Sequence, residues 1–554
     1  MTDIQEFLSE LCLYICFKQC HSSDTKMEPT SPLFRIMLID IGGYAMSKNA
    51  FILLAIFAVL ISACSPAPAP IQIPVPSNWP TQEWQMANPE DQGFDSAKLA
   101  EALQSIRANG INVHSITVIR SDEMILDAYF YPYNGQTYHE IASVTKSIMT
   151  TLVGIAADQG MLDLDDPILS FFPDRKIANR VFWKNLITVR QLAGMTSGLE
   201  CISANDEQTL TEMGSAPDWV QFTLDLKVAH IPGTHFEYCS PGMHLLSAIL
   251  QQATGMQAAE FARLYLFEPL GITDFLWEAD PDGYSDGWAG LYMHPRDLAK
   301  IGYLMLHQGK WGDQQIVSPE WVRDATRLQK KTGQGDNYGY GWWVPPANQF
   351  VEFAAEGRGG QYIRVIPQLN MVIVTTGGGF EWNEITPLLI PAMINMAEPI
   401  PANPAAVERL RTALASIQQP PSPQAVPPLP ETAYEISGKT YEFEFSPLDL
   451  KTIRWEFTGA QEATLFATFY NQPDRELLIG MDGVYRMYPI GEHELPMGLR
   501  CNWTGPQTLL FEYDTIANHD VYTLELNFRG DGVTIRAKER TRTGEFTIEG
   551  KQKY

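Results

Sequence analysis

Positive charge is scarce in this chain. Its 554 residues carry 39 Lys and Arg against 65 Asp and Glu, a formal net charge of −26. No basic stripe interrupts that balance, which argues against nucleic acid as a partner. Cysteine is also sparse, at seven. Cys12, Cys16 and Cys20 share helical i, i+4 spacing, but a structural thiolate site usually needs four ligands, so no metal is assigned to them. Asp163, Asp165 and Asp166 lack the spacing of a calcium loop, and Asp166-Pro167 reads as a helix start. Apolar and aromatic residues are plentiful, so the acidity does not mean disorder, and the length allows more than one domain.

One apolar run stands out near the N-terminus. Met46-Ser-Lys-Asn precedes Ala50–Ala63, and Cys64-Ser65 follows. A short charged start, an apolar stretch and small residues before a cleavage point form a secretory leader. A transmembrane anchor is the rival reading. Ile61-Ser-Ala-Cys64 resembles a bacterial lipobox, which makes Cys64 the expected lipidated residue. A leader opens a protein, so translation is expected from Met46, with 1–45 a misassigned extension and 46–63 the signal peptide. The expected location is the bacterial cell envelope, periplasmic or on the outer surface, held to a membrane by the lipid on Cys64.

Ser65–Pro80 is Pro-rich and reads as an extended tether, placing residues 64–83 ahead of the first domain at 84–397. Within that domain, Leu99, Leu103 and Ile106 have helical spacing, and His114–Ile119 with Met124–Tyr131 read as a hairpin around Ser121-Asp122-Glu123. Helical patterns fill 165–330. Strand character returns at Gly341–Val344, Tyr362–Ile366 and Met371–Thr376, and a closing helix is expected over Pro387–Met396, capped by Thr386. Strands that open and close a domain around inserted helices define an α+β fold. Residues 398–433 read as a Pro/Ala-rich linker around one short helix. Residues 434–554 show short alternating runs between turns, the pattern of an antiparallel barrel or sandwich.

Chemistry concentrates at Ser143-Val-Thr-Lys146, at the head of an apolar helix that Gly160 can stop. A serine hydroxyl needs a base to become a nucleophile. Residues three apart lie on one helix face, so the Lys146 amine can reach it. Tyr238 follows the Pro232-Gly233 turn; a phenol near a lysine ammonium can have its pKa lowered and act as a base. Lys331-Thr332-Gly333 lies in a polar loop with no strand after it. Gly357-Arg358-Gly359-Gly360-Gln361 instead opens a strand, where paired glycines let backbone approach a substrate. An N–H there, with that of Ser143, can form an oxyanion hole. Cys201 and Cys239 can bridge if both segments border one pocket; otherwise they are two buried thiols.

These phrases, together with Leu164-Asp-Asp-Pro-Ile, Ile187-Thr-Val-Arg-Gln-Leu, Met195-Thr-Ser-Gly-Leu, Pro295-Arg-Asp-Leu-Ala-Lys and Ile316-Val-Ser-Pro-Glu-Trp-Val, run in order across roughly 90–395. The chain thereby resembles the serine β-lactamase-related hydrolases: class C β-lactamases, D,D-peptidases, family VIII esterases and, nearest in pattern, the 6-aminohexanoate-dimer-hydrolase-like branch. The resemblance implies a five-stranded antiparallel sheet flanked by helices, an all-helical lobe, and a site between them. It implies Ser143 as nucleophile, Lys146 as base directly or through Tyr238, Tyr238 as proton donor to the leaving group, and the Ser143 and Gln361 N–H groups as oxyanion hole. No metal or cofactor is implied.

Two departures stand out. The family's Tyr-x-Asn is Tyr238-Cys239-Ser240, which puts a hydroxyl at a substrate-binding position. Its Lys-Thr-Gly is Arg358-Gly359-Gly360, which keeps a cation and removes a hydroxyl donor. Ser240, Arg358, Gly359 and Gly360 are the expected substrate-binding positions, and Arg358 is expected to depress the Lys146 pKa. The altered third box weighs against a β-lactamase or D,D-peptidase and favours hydrolysis of a small ester or amide. The rival from another class is a catalytically silent envelope binding protein on the same fold.

Overall fold

The computed structural model describes residues 73–554 apart from 77, 334, 347–349, 460 and 543. The leader, Cys64 and the three N-terminal cysteines lie outside the described residues. Among the described residues, no helix is long and apolar enough to cross a membrane.

Helix α1 (Ser96–Ala108) starts at Asp95, whose side chain accepts the Ala97 and Lys98 N–H groups. Strands β1 (Val113–Arg120) and β2 (Glu123–Tyr129) form the expected hairpin. Ser121 and Asp122 turn it with φ of 45° and 73°, the left-handed pair that a tight two-residue turn requires. Strands β3 (Phe353–Gly357), β4 (Gln361–Ile366) and β5 (Met371–Gly377) complete the antiparallel order β2-β1-β5-β4-β3. Three two-residue strands extend the β3 edge, the outermost at Lys330–Lys331. The Lys331-Thr332-Gly333 tripeptide therefore starts in a marginal hairpin on that edge rather than in a strand-free loop.

Between hairpin and closing strands lies the helical lobe, centred on α2 (Val144–Asp158) and α3 (Ser240–Thr254). Every α2 residue from Val144 to Ala156 is buried, as its all-round apolar sequence requires. Helix α4 (Pro295–Leu306) lies against β1, β4 and β5 and joins lobe to sheet.

Three boundaries differ from expectation. The closing helix α5 is Trp382–Leu389, with Pro387 inside it. Glu381 and Glu384 cap each other's backbone reciprocally, so the helix starts before the proline. The stretch expected as a linker contains α6 (Pro404–Ile417), whose Ala406, Leu410, Ala413 and Ile417 form one buried face against α1. The tether ends early: the Trp79 ring meets those of Tyr303 and His307 at 5.7 and 5.2 Å, and Trp311 donates to the Thr81 hydroxyl at 2.9 Å.

The nine strands of the C-terminal ring are β6 (Thr440–Phe443), β7 (Leu450–Glu456), β8 (Glu462–Phe469), β9 (Arg475–Gly480), β10 (Met497–Trp503), β11 (Thr508–Thr515), β12 (Val521–Arg529), β13 (Gly532–Glu539) and β14 (Glu545–Gln552), and a further three-residue strand, Arg486–Tyr488, pairs with β10. Their order is β9-β8-β7-β6-β14-β13-β12-β11-β10, and Gly480 pairs with Arg500 to close the ring. Nine strands cannot alternate direction around a ring, which makes this last pair parallel. Of the two architectures open from sequence, the domain is a closed barrel. Val533, Ile535 and Ala537 are its buried alternate residues on β13.

Candidate active site

The nucleophile turn is built on a buried carboxylate. Glu140 Oε2 accepts the Ala142 N–H at 2.8 Å, and Oε1 accepts the Gly290 N–H at 3.1 Å. Burial works to raise the Glu140 pKa, but His519 and these two N–H groups outweigh it and hold the carboxyl below its ordinary range. Ala142 is held at φ 47°, a left-handed conformation unfavourable for a residue with a Cβ. Ser143 follows, partly exposed, at the head of α2. One turn on, the buried Lys146 donates from Nζ to Ser143 Oγ at 2.6 Å and to the Trp288 carbonyl at 3.1 Å. Burial pulls the Lys146 pKa down to about 8, against the opposing pull of Glu207 and Glu140. At pH 7 about a tenth of the amine is therefore neutral, far more than for an ordinary lysine, and able to accept the serine proton.

Tyr238 sits beside this pair, with Lys146 Nζ 4.9 Å from its ring centroid and Trp343 stacked at 6.0 Å. Its expected low pKa is not found. Burial, then Glu207 and Tyr338, raise it well above the ordinary value, and a hydrogen bond with Ser143 only partly opposes them. Tyr238 is thus a protonated phenol, suited to donate, while Lys146 is the group poised as base.

The third box lies in the turn between β3 and β4. Gly357 pairs with Gln361, and a Cβ on Gly357 would come 2.6 Å from the Ile141 carbonyl, so this turn adjoins the nucleophile segment. Gln361 is buried; its side chain donates to the Gly377 carbonyl at 2.6 Å and accepts the Gly377 N–H at 3.1 Å, fixing the head of β4 against β5. Arg358 does not serve as the sequence implied. Its guanidinium is engaged by His519 Nε2 and lies 3.4 Å from Asp520 Oδ1, and burial, not Arg358, lowers Lys146. Gly359 and Gly360 have φ of 87° and 99°. A Cβ on Gly359 would lie 2.4 Å from His519 Cβ, and one on Gly360 2.2 Å from the Phe380 ring. Both glycines thus admit close neighbours.

Ser240 also departs from its expected role as an open substrate contact. It is fully buried, and its hydroxyl binds the Glu207 carboxylate. Cys201 and Cys239 are bonded, with Cα atoms 5.5 Å apart, which ties the residue just after Tyr238, at the head of α3, to the loop at 201. Asp165 pairs with Arg190 at 2.8 Å, and among the described residues no cluster of three or more His, Cys, Asp or Glu could hold a metal.

Sequence reasoning missed Glu140, Glu207 and His519. Glu140 could have been suspected as the one carboxylate between Asp127 and Ser143, three residues before that serine. Nothing local marks Glu207, which acts through space. His519 belongs to the barrel, where the loop between β11 and β12 reaches the site: the Ala517 carbonyl accepts the Glu140 N–H at 2.8 Å.

A serine–amine pair at a helix head between an antiparallel sheet and a helical lobe is the arrangement of the β-lactamase-fold hydrolase family. The Beta-lactamase family model matches residues 98–392, and the chain belongs to that family. It is 25% identical over 281 residues to the 6-aminohexanoate-dimer hydrolase of Paenarthrobacter ureafaciens, covering 46% of this chain and 70% of that one. An uncharacterised protein of Alkalihalophilus pseudofirmus is 24% identical over 307 residues, covering 48% of this chain and 84% of that one. Among solved structures, the octameric penicillin-binding protein homologue from Pyrococcus abyssi covers 81% of this chain and 99% of its own, at 18% identity and a TM-score of 0.45. A family VIII carboxylesterase covers 60% and 98%, at 16% identity and a TM-score of 0.43.

Proposed function

We propose that this protein cleaves a small ester or amide through an acyl-enzyme on Ser143. The observation that carries the reading is the 2.6 Å contact between Lys146 Nζ and Ser143 Oγ, with burial holding the amine near pKa 8. Neutral Lys146 takes the Oγ proton as Oγ bonds to the substrate carbonyl carbon. The backbone N–H groups of Ser143 and Gln361 receive the oxyanion. Tyr238 protonates the leaving alcohol or amine and regains a proton from the Lys146 ammonium. Water then enters by the reverse relay and releases the carboxylic acid. The 6-aminohexanoate-dimer hydrolase relative supports a short linear amide or ester as substrate. A β-lactam carboxylate is a poorer fit, because Arg358 is already engaged and Gly359 offers no hydroxyl. The leader and lipobox support export and lipid anchoring through Cys64.

Brief exposure to a fluorophosphonate and to a p-nitrophenyl ester, followed by mass spectrometry, tests the reading. Labelling at Ser143 with steady ester turnover is expected, and both vanish in Ser143→Ala. Folded protein that takes no label at Ser143 overturns it and favours a binding role. For the anchor, metabolic labelling with a fatty acid should mark the parent and not Cys64→Ala.

A further inference from the structure

The closed barrel is not filled. Trp455, Leu465, Phe469, Leu499, Phe511 and Leu526 are among the residues lining an internal cavity of about 250 Å³. Three side chains with polar groups join this apolar wall besides Trp455: Gln472, Arg475 and Tyr513. Arg475 is partly buried, and among the described residues its guanidinium has no carboxylate or carbonyl partner. Trp455 is 1% exposed, and its indole N–H has no hydrogen-bond acceptor. A closed barrel of this size can either fill its interior with side chains or hold one small ligand. Here it leaves space, an unpaired cation and an orphaned donor in the same place.

The register locates the polar end. Arg475 opens β9, and β10 runs parallel to β9, so Met497 at the start of β10 lies toward the same end. Met497 pairs with Thr515, and the loop after Thr515 carries Ala517 and His519 to Glu140. The charged end of the cavity is therefore the end from which the 516–520 loop reaches Glu140.

We propose that the barrel binds a single-chain alkyl carboxylate, with its chain among the apolar residues and its head group at Arg475. The volume lies just below the usual range for ligand pockets and suits one alkyl chain rather than a two-chain lipid. A planar guanidinium matches a carboxylate in shape, and its single charge balances a monoanion. The site stands on the barrel alone and does not depend on chemistry at Ser143.

Calorimetric titration of the full chain with decanoate tests this, with decanol as the uncharged counterpart. Saturable one-to-one binding is expected. Arg475→Gln, at a partly exposed position, should weaken decanoate about tenfold, as loss of a charged hydrogen bond does, and leave decanol unchanged. Ala467→Trp, which fills the cavity, should abolish both. No saturable binding of decanoate overturns the proposal. So does an Arg475→Gln protein that binds decanoate like the parent, or folded Ala467→Trp that still binds it. If Ala467→Trp does not fold, the decanoate-to-decanol ratio in Arg475→Gln decides alone.

Discussion

His519 Nδ1 on the barrel lies 3.0 Å from Glu140 Oε2 in the first domain, within ion-pairing distance although out of line for a good hydrogen bond. The same oxygen accepts the Ala142 N–H, one residue before the nucleophile. The barrel thus bears on the turn that presents Ser143. His519→Ala should lower kcat for an ester about tenfold, the equivalent of roughly 1.4 kcal/mol, with little change in KM. His519→Gln, which keeps a donor, should recover part of the loss. Stopped-flow or steady-state ester assays on the two variants check this; equal kcat in His519→Ala and parent would make the contact purely architectural.

The base should announce itself in the pH profile. Lys146 acts when neutral, so kcat/KM should rise with pH and pass its midpoint near the lysine's pKa of about 8. Glu207 opposes the depression by favouring the ammonium. Glu207→Gln removes that charge, lowers the Lys146 pKa further and should shift the rising limb to lower pH. The position of the limb is the readout, since the variant also loses a carboxylate bound to Ser240. An unmoved limb would mean that another group titrates.

What the sequence made legible was local. The Ser143–Lys146 pairing follows from helix geometry, the hairpin from its turn residues, and the barrel strands from period-two alternation. What it hid was long-range. Arg358 read as a free cation because its partners, His519 and Asp520, lie some 160 residues away in the other domain. Tyr238 read as a base because a nearby lysine lowers a phenol's pKa, whereas enclosure by Glu207, Tyr338 and the lobe raises it. The α6 helix read as part of a linker because prolines flank it, although its Leu410 and Ile417 are core residues.

Gly359 gives a direct probe of how closely the two domains meet. Its φ of 87° costs any L-residue about 1–2 kcal/mol, and a Cβ would press to 2.4 Å from His519 Cβ. Gly312, at φ 59°, has no atom within 4 Å of the same position. Gly312→Ala should therefore show the backbone penalty alone, and Gly359→Ala a larger loss of stability in urea denaturation. Equal losses would mean that the His519 loop yields without cost.

Asp286 should make stability depend on pH in the direction opposite to an ion-paired carboxylate. It is buried; burial, then the charges of Glu278, Asp280 and Glu140, push its pKa up to about 8. The folded state therefore holds a proton that the unfolded chain releases near pH 4. Its contribution to stability is complete below that value, declines as pH rises and is lost as pH passes through about 8. Asn at this position cannot ionise. Melting curves from pH 5 to 9 should show the parent losing stability more steeply than Asp286→Asn, so that the difference between them grows with pH. Parallel curves would place the proton on another member of the acidic cluster.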